Sequence, residues 1–114
     1  MTGTTAFALV LSAASELAIP VIVIGEYRFG ICRSRYRDQY EAMFDGFLAR
    51  CRILTVDRDT AKFYAAVRLE LREAGTPIPV NDLWIAALCR QHAMNIMSRD
   101  THFDYVARVN RVGW

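Results

Sequence analysis

Six apolar residues in succession, Ile19-Pro20-Val21-Ile22-Val23-Ile24, form the first clear element of the chain. An unbroken, mostly β-branched run of this kind predicts a strand buried on both faces, as in a parallel sheet. Gly25 punctuates it. The pattern then changes period: Tyr36, Tyr40, Met43, Phe44, Phe47, Leu48 and Cys51 recur at helical spacing, which predicts an amphipathic helix over Ser34–Arg50. Arg52–Val56 reads as a second strand. Asp59 or Thr60 is positioned to cap the helix that follows, which presents Tyr64, Val67, Leu71 and Ala74 on one face. Gly75 stands at its natural stop with Pro77 just beyond. Thr76–Val80 is expected as a loop, and Asn81 as the N-cap of a helix with Asp82 in its first turn. Leu83 to Leu88 make that helix apolar nearly all round, hence buried. Asn95–Ser98 reads as a third strand, Arg99–Phe103 as a turn into a brief helix, and Val109–Val112 as a last strand.

Strands alternating with helices imply α/β architecture with a mostly parallel sheet and helices on its faces. In such sheets ligands sit outside the carboxyl ends of the strands, so position along an element carries chemical information. With 114 residues there is room for a single domain, residues 1–114, and the balance of 54% hydrophobic to 23% charged residues excludes a disordered chain. The longest apolar run, Leu17–Ile24, falls far short of the ~20 residues of a membrane helix. Ala6–Ala14 resembles a signal-peptide core without a preceding Lys or Arg, so a cytoplasmic location is expected.

Several chemistries lose their support. Cys32, Cys51 and Cys89 form no C-x-x-C pair and read as reduced thiols, and His92 and His102 lack any zinc-type spacing. Cys89 and His92 share a helix face, but Cys89 reads as buried. No Gly-rich phosphate loop is present. A phospho-acceptor receiver would want a lysine at a strand end, and the one lysine, Lys62, lies inside a helix. Net charge is only +2, yet thirteen of the fourteen basic residues are arginine, the side chain suited to phosphate and carboxylate. Arg28, Arg33, Arg35, Arg37 and the pair Arg50, Arg52 are the places where an RNA or an acidic partner would be met, if they are not simply solvated helix surface.

The acids are more informative. Glu26 and Asp100 each lie two residues past an expected strand end, and Asp82 lies in the first turn of a helix entered from the same rim. Three carboxylates converging there would repel unless a cation neutralised them, and oxygen ligands suit Mg²⁺ or Mn²⁺. A hard divalent ion can activate water and clamp a phosphodiester. Each acid also has a purely structural explanation. Asp82 complements a helix dipole, worth about 0.3–1 kcal/mol at an exposed end. Asp100 caps the turn after it, and Glu26 pairs with Arg28 or Arg33.

Two stretches together resemble the PIN-domain family, and most closely its VapC-type toxins: I-P-V-I-V-I-G-E-Y-R-F-G at residues 19–30, and G-T-P-I-P-V-N-D-L-W-I-A-A-L-C-R-Q-H at 75–92, running on into N-I-M-S-R-D-T-H-F-D-Y-V and the closing R-V-G-W. The resemblance covers roughly Leu17 to Trp114. It implies a three-layer α/β/α fold and a Mg²⁺- or Mn²⁺-dependent endoribonuclease, usually a homodimer, silenced by a cognate antitoxin. It maps the family's second, third and fourth acids onto Glu26, Asp82 and Asp100, as catalytic residues and metal ligands. Asp104, Ser98 and Thr101 are implied as residues standing behind those ligands, and Arg28, Arg33 and Arg99 as candidate contacts to RNA or antitoxin.

The chain departs from the family at one point. PIN domains begin with a strand ending in Asp-Thr or Asp-Ser, and here Gly3-Thr4-Thr5-Ala6 has glycine in the acid's place. The first strand is therefore expected to be absent or altered, through truncation, a misassigned start or divergence. Glu16, the next acid, is read as too far into a first helix to substitute. Thr5–Leu11 would either serve as a makeshift strand or leave a gap. The alternative to an active enzyme is a catalytically impaired remnant that acts only through dimer or antitoxin binding.

Overall fold

The computed structural model describes residues 9–11 and 16–113. The Gly3-Thr4-Thr5-Ala6 stretch and Trp114 lie outside the described residues. Strand β1 (Leu9–Leu11) is followed by β2 (Leu17–Pro20), helices α1 (Val21–Ile31) and α2 (Arg37–Leu48), β3 (Arg52–Leu54), helices α3 (Arg58–Glu73) and α4 (Val80–Gln91), β4 (Asn95–Met97), a 3₁₀ turn (Thr101–Tyr105) and β5 (Arg111–Val112). Together they make the three-layer α/β/α arrangement expected from the sequence.

The sheet has the order β3-β2-β1-β4-β5. β2 pairs parallel to β3 and β4 parallel to β5, while β1 runs antiparallel to both β2 and β4, so four of the five strands point one way. The central position is thus filled, by three residues running against their neighbours. Val10 sits opposite Ala18 on one side and Ile96 on the other, and all three are fully buried. A makeshift strand occupies the middle of the sheet, which excludes the gap. Glu16 lies just ahead of β2, not within a helix, and reaches Arg52 across the β2–β3 edge at 3.4 Å.

The run Ile19–Ile24 is not one strand. β2 ends at Pro20, whose extended backbone (φ −66°, ψ 140°) forms the N-cap of α1, and Val21–Ile24 are the first turn of that helix. Period alone does not separate a short apolar strand from the start of a buried helix. Here Val23 is buried and Ile22 and Ile24 pack against the core, so burial overrides the β preference of these side chains. α2 begins three residues later than expected, because Ser34–Tyr36 form a turn: Ser34 accepts the Tyr36 N–H through its side chain and the Arg37 N–H through its carbonyl. Of the face assigned to the core, Phe44 is buried, while Tyr36, Tyr40 and Met43 are exposed, Met43 to 72%.

Asp57, not Asp59 or Thr60, caps α3. Its carboxylate accepts from the Thr60 N–H while the Thr60 hydroxyl accepts from the Asp57 N–H, a reciprocal capping box. α3 stops at Gly75, as expected, in a left-handed conformation (φ +74°) with Thr76 N–H returning to the Leu71 carbonyl and Gly75 N–H to Arg72. α4 ends the same way, but the left-handed position is held by Ala93 (φ 53°), with Met94 N–H bonded to the Cys89 carbonyl. α3 and α4 pack together, with Tyr64 stacked on Trp84 at 4.0 Å and Arg90 gripping both Glu70 oxygens and the Ala107 carbonyl.

Two expectations follow. An L-residue in the left-handed region costs roughly 1–2 kcal/mol, more than glycine's added chain entropy, so Ala93→Gly should stabilise the fold by about 0.5–1 kcal/mol in urea titration. The three thiols should react with a maleimide in the order Cys32, exposed, then Cys51, half-buried and shifted up by desolvation, then Cys89, whose burial pushes it up to about 12. Labelling of Cys89 is expected only on unfolding.

Candidate active site

α4 begins where the loop 76–79 delivers the chain to the sheet rim. Pro79 is its N-cap and contributes its carbonyl to the Leu83 N–H. Asn81 is therefore inside the first turn, not the cap, and its side-chain amide instead donates to Glu26 Oε1 on α1. Asp82, one residue on, has its side chain 99% buried at the helix's positive end. An ionised carboxylate in that position needs partners, since burial without them is expensive.

Asp100 approaches from the other side. β4 ends at Met97, and the buried Ser98 turns the chain by accepting the Asp100 N–H on its Oγ at 3.0 Å. Asp100 then caps the 3₁₀ turn through the His102 N–H at 2.9 Å. This places the His102 ring between the two acids, with Nδ1 3.1 Å from Asp82 Oδ2 and 2.9 Å from Asp100 Oδ1. Carboxylates only accept in such contacts, so Nδ1 carries the hydrogen. One ligand atom each from Asp82, Asp100 and His102 lies within 4.8 Å of the others. The two carboxylates are hard oxygen donors suited to Mg²⁺ or Mn²⁺, while His102, whose Nδ1–H is engaged by them, positions the acids instead of adding a ligand.

The sequence-derived residues divide accordingly. Asp82 and Asp100 are brought together, and Ser98 lies directly behind Asp100. Glu26 is not two residues past a strand; it sits in the second turn of α1, tied to Asn81, beside the cluster and outside it. It pairs with neither Arg28 nor Arg33 among the contacts seen. Thr101 is exposed at the start of the 3₁₀ turn, and Arg99 is exposed beside it. Asp104 is engaged by Arg111, at 2.7 and 3.1 Å, which holds its carboxyl below the usual carboxylate range. The same guanidinium reaches the Ser98 carbonyl at 3.1 Å, so Asp104 bears on the site through Arg111 and the turn after β4. Arg28 is occupied within the fold: it bridges Glu41 and Asp45 on α2 and lies over the Phe44 ring.

His102 was not singled out by spacing, because a side chain that meets its partner acids two and twenty residues away leaves no regular interval. The local sign was Asp-x-His at a turn start, where a capping aspartate folds the ring back onto itself. His92, by contrast, sits at the far end of α4, where desolvation and then Arg52 shift it below the usual imidazole range. Cys89 is sealed in the core with its thiol pushed up to about 12, which removes the Cys–His pair as a nucleophilic couple.

Replacing His102 with alanine takes one hydrogen-bond donor from the buried Asp82 carboxylate. In metal-free buffer His102→Ala is expected to lower stability by about 1–2 kcal/mol, read as a shifted urea midpoint. An unchanged midpoint would mean that the ring does not hold the two acids together.

Comparison with known proteins places these elements in a wider set. The PIN domain family model matches residues 3–109. The chain is 32% identical to Ribonuclease VapC5 of Mycobacterium tuberculosis over 91 residues, 77% of this chain and 67% of the relative. It is 32% identical to Ribonuclease VapC2 of Rickettsia felis over 77 residues, 68% of this chain and 58% of the relative, so it spans only part of each relative's length. The fold superposes on the crystal structure of VapBC2 from Rickettsia felis bound to a DNA fragment from their promoter with a TM-score of 0.78, at 26% identity, over 85% of this chain and 74% of that one. VapBC-5 from Mycobacterium tuberculosis, a member of the VapBC family of toxin-antitoxin systems, gives 0.73 at 30% identity, over 85% and 81%.

Proposed function

The chain belongs to the PIN-domain family, among its VapC-type members, and from that premise we propose that it is a metal-dependent endoribonuclease, the toxin of a toxin–antitoxin pair. The single observation that carries this reading is the meeting of Asp82, Asp100 and His102 within 4.8 Å at the mouth of α4. Asp82 and Asp100 would hold Mg²⁺ or Mn²⁺, with Glu26 as the third acid. A cation so held supplies activated water and neutralises developing charge on the phosphodiester.

The chain's own residues do the rest. Ser98 and the capping geometry fix the Asp100 carboxylate, so that it is oriented before any ligand arrives. Asn81 holds Glu26 against the first turn of α4. The Asp104–Arg111 pair steadies the turn after β4 by gripping the Ser98 carbonyl. Thr101 and Arg99, exposed on the same turn, are placed to touch a bound strand. The names of the relatives support RNA as substrate, and the VapBC structures support a cognate antitoxin as partner; a homodimer acting in the cytoplasm is part of the same proposal. The whole chain, residues 1–114, acts as one domain.

A second reading has two observations in its favour. Glu26 is held by Asn81 outside the cluster, and Gly3 stands where the family's first acid is found, so an impaired protein that works only by binding its partners is the competing account.

One assay decides between them. A mixed RNA pool is incubated with the 114-residue chain and Mn²⁺, beside EDTA and Asp82→Asn controls. Cleavage that falls at least about a hundredfold in both controls is expected. Absence of cleavage from folded protein would overturn the enzyme reading in favour of the remnant.

A further inference from the structure

α1 does more than carry Glu26. On a helix, positions i, i+3, i+4 and i+7 share a face, and from Glu26 these are Phe29, Gly30 and Arg33. Ile31 is the last residue of α1, but Cys32 keeps helical backbone angles (φ −51°, ψ −38°), so Arg33 continues the same line. Seven residues at about 1.5 Å rise set Arg33 about 10 Å from Glu26 along the axis. The far end of this face is a shallow depression of about 370 Å³, lined by Phe29, Gly30, Cys32 and Arg33. Phe29 is 71% exposed, and a side chain added at Gly30 would meet nothing within 4 Å, so the space above the helix beside the ring is open.

The turn that follows is basic and aromatic by alternation: Arg33, Arg35, Tyr36, Arg37. Unlike Arg28, these three arginines are exposed and form no ion pair among the described residues. Arg35 lies over the Tyr36 ring at 4.9 Å, and Tyr36 meets Tyr40 edge-on at 6.3 Å. Asp38, beside Arg37 at the start of α2, is the one acid among residues 33–38, leaving this segment net positive. A lone exposed phenylalanine is ordinary on a protein surface. An exposed ring next to an open depression, three exposed guanidiniums without an ion pair among the described residues, one of them lying on a tyrosine, and two more rings is the composition that single-stranded nucleic acid uses: cations for the backbone and π-faces for the bases.

We infer that the outer face of α1 and the α1–α2 turn form a track for single-stranded RNA, with a base stacked on Phe29 over Gly30 and phosphates on Arg33, Arg35 and Arg37. It rests on the reading of the protein as a ribonuclease and adds the route by which the strand reaches Glu26. Charge alone would suit an acidic peptide equally; the aromatic faces are what favour RNA.

The test separates binding from cleavage by working in EDTA. A short fluorescein-labelled single-stranded RNA of mixed sequence is titrated with the full chain, and anisotropy is read at several salt concentrations. Combined Arg33→Gln, Arg35→Gln and Arg37→Gln should flatten the dependence of log affinity on log salt by about 2, from three phosphate contacts at ~0.7 each. Phe29→Ala should weaken binding about tenfold with the salt slope unchanged. All four side chains are on the surface, and an unchanged urea midpoint checks that the variants fold. RNA affinity that is unaltered in both variants overturns the track, even if the wild type cleaves RNA. Loss of binding in both supports the track even if no cleavage is ever seen, in which case only the enzyme reading falls. If the triple variant keeps its RNA affinity but no longer binds an acidic peptide, the surface is a protein-docking site and the inference is wrong.

Discussion

The structure turns on a carboxylate that has almost no contact with water. Asp82 is 99% buried in the first turn of a helix whose other positions are nearly all apolar. Three things make that tolerable: the positive end of α4, the Nδ1–H of His102, and a location at the rim instead of the middle of the core. Each of them depends on a different part of the fold. α4 must start at the rim just after Pro79, β4 must end at Met97, and the chain must then turn sharply enough for Asp100 to fold His102 back. The polar cluster and the packing around it are therefore one construction. A buried acid facing a second acid is poor design for stability alone, where an apolar pair would serve as well or better. That disposition makes sense if the site is kept for a ligand.

The central strand imposes the second constraint. β2 with β3, and β4 with β5, are two parallel pairs with no direct connection to one another. Both α1, which carries Glu26, and the turn carrying Asp100 leave from the ends of these pairs. Within the sheet, among the described residues, β1 is the strand that joins them, through Val10 between Ala18 and Ile96. Buried backbone groups along β2 and β4 need partners, and an antiparallel strand satisfies them as well as a parallel one. Because direction is free while spacing is not, three apolar residues from a stretch without the family's acid can still hold the two halves of the site in register.

Much of this was legible in the sequence, for reasons that can be stated residue by residue. α4 was clear because apolar character all round leaves a helix no face to expose, and α3 because Gly75 supplies the left-handed stop. The pairing of Asp82 with Asp100 followed from a rule about strand ends that does not require knowing the strands accurately. Glu26 was misplaced for the converse reason. Ile19–Ile24 satisfies strand and helix patterns alike, and the choice between them was made by Pro20 and by burial of Val23, which only the assembled fold reveals. Asn81 carried a capping signal that lost to Pro79, and its side chain was free to reach Glu26 instead. His102 was hidden because its partners are distant in the chain. Arg28 was counted with the basic cluster, although Glu41 and Asp45, one and two turns along α2, had already claimed it.

That last correction changes how the surface should be weighed. Once Arg28 is spent on joining α1 to α2, the basic character of the region is no longer a diffuse patch but a short run at one end of α1. Glu26 lies at the middle of α1, tied to Asn81 of α4. A helix of eleven residues is rigid on this scale, so the spacing between Glu26 and the end of α1, from which the segment carrying the arginines departs, is fixed by the backbone. The Arg28 bridge and the Tyr27–Phe44 contact at 4.2 Å also set where α2, with Tyr36 and Tyr40, stands beside that run. The ion pair is partly exposed and on its own is worth little. Its consequence is geometric: with the Tyr27–Phe44 contact it marks where α2 lies against α1, beside the aromatic and basic side chains of the turn.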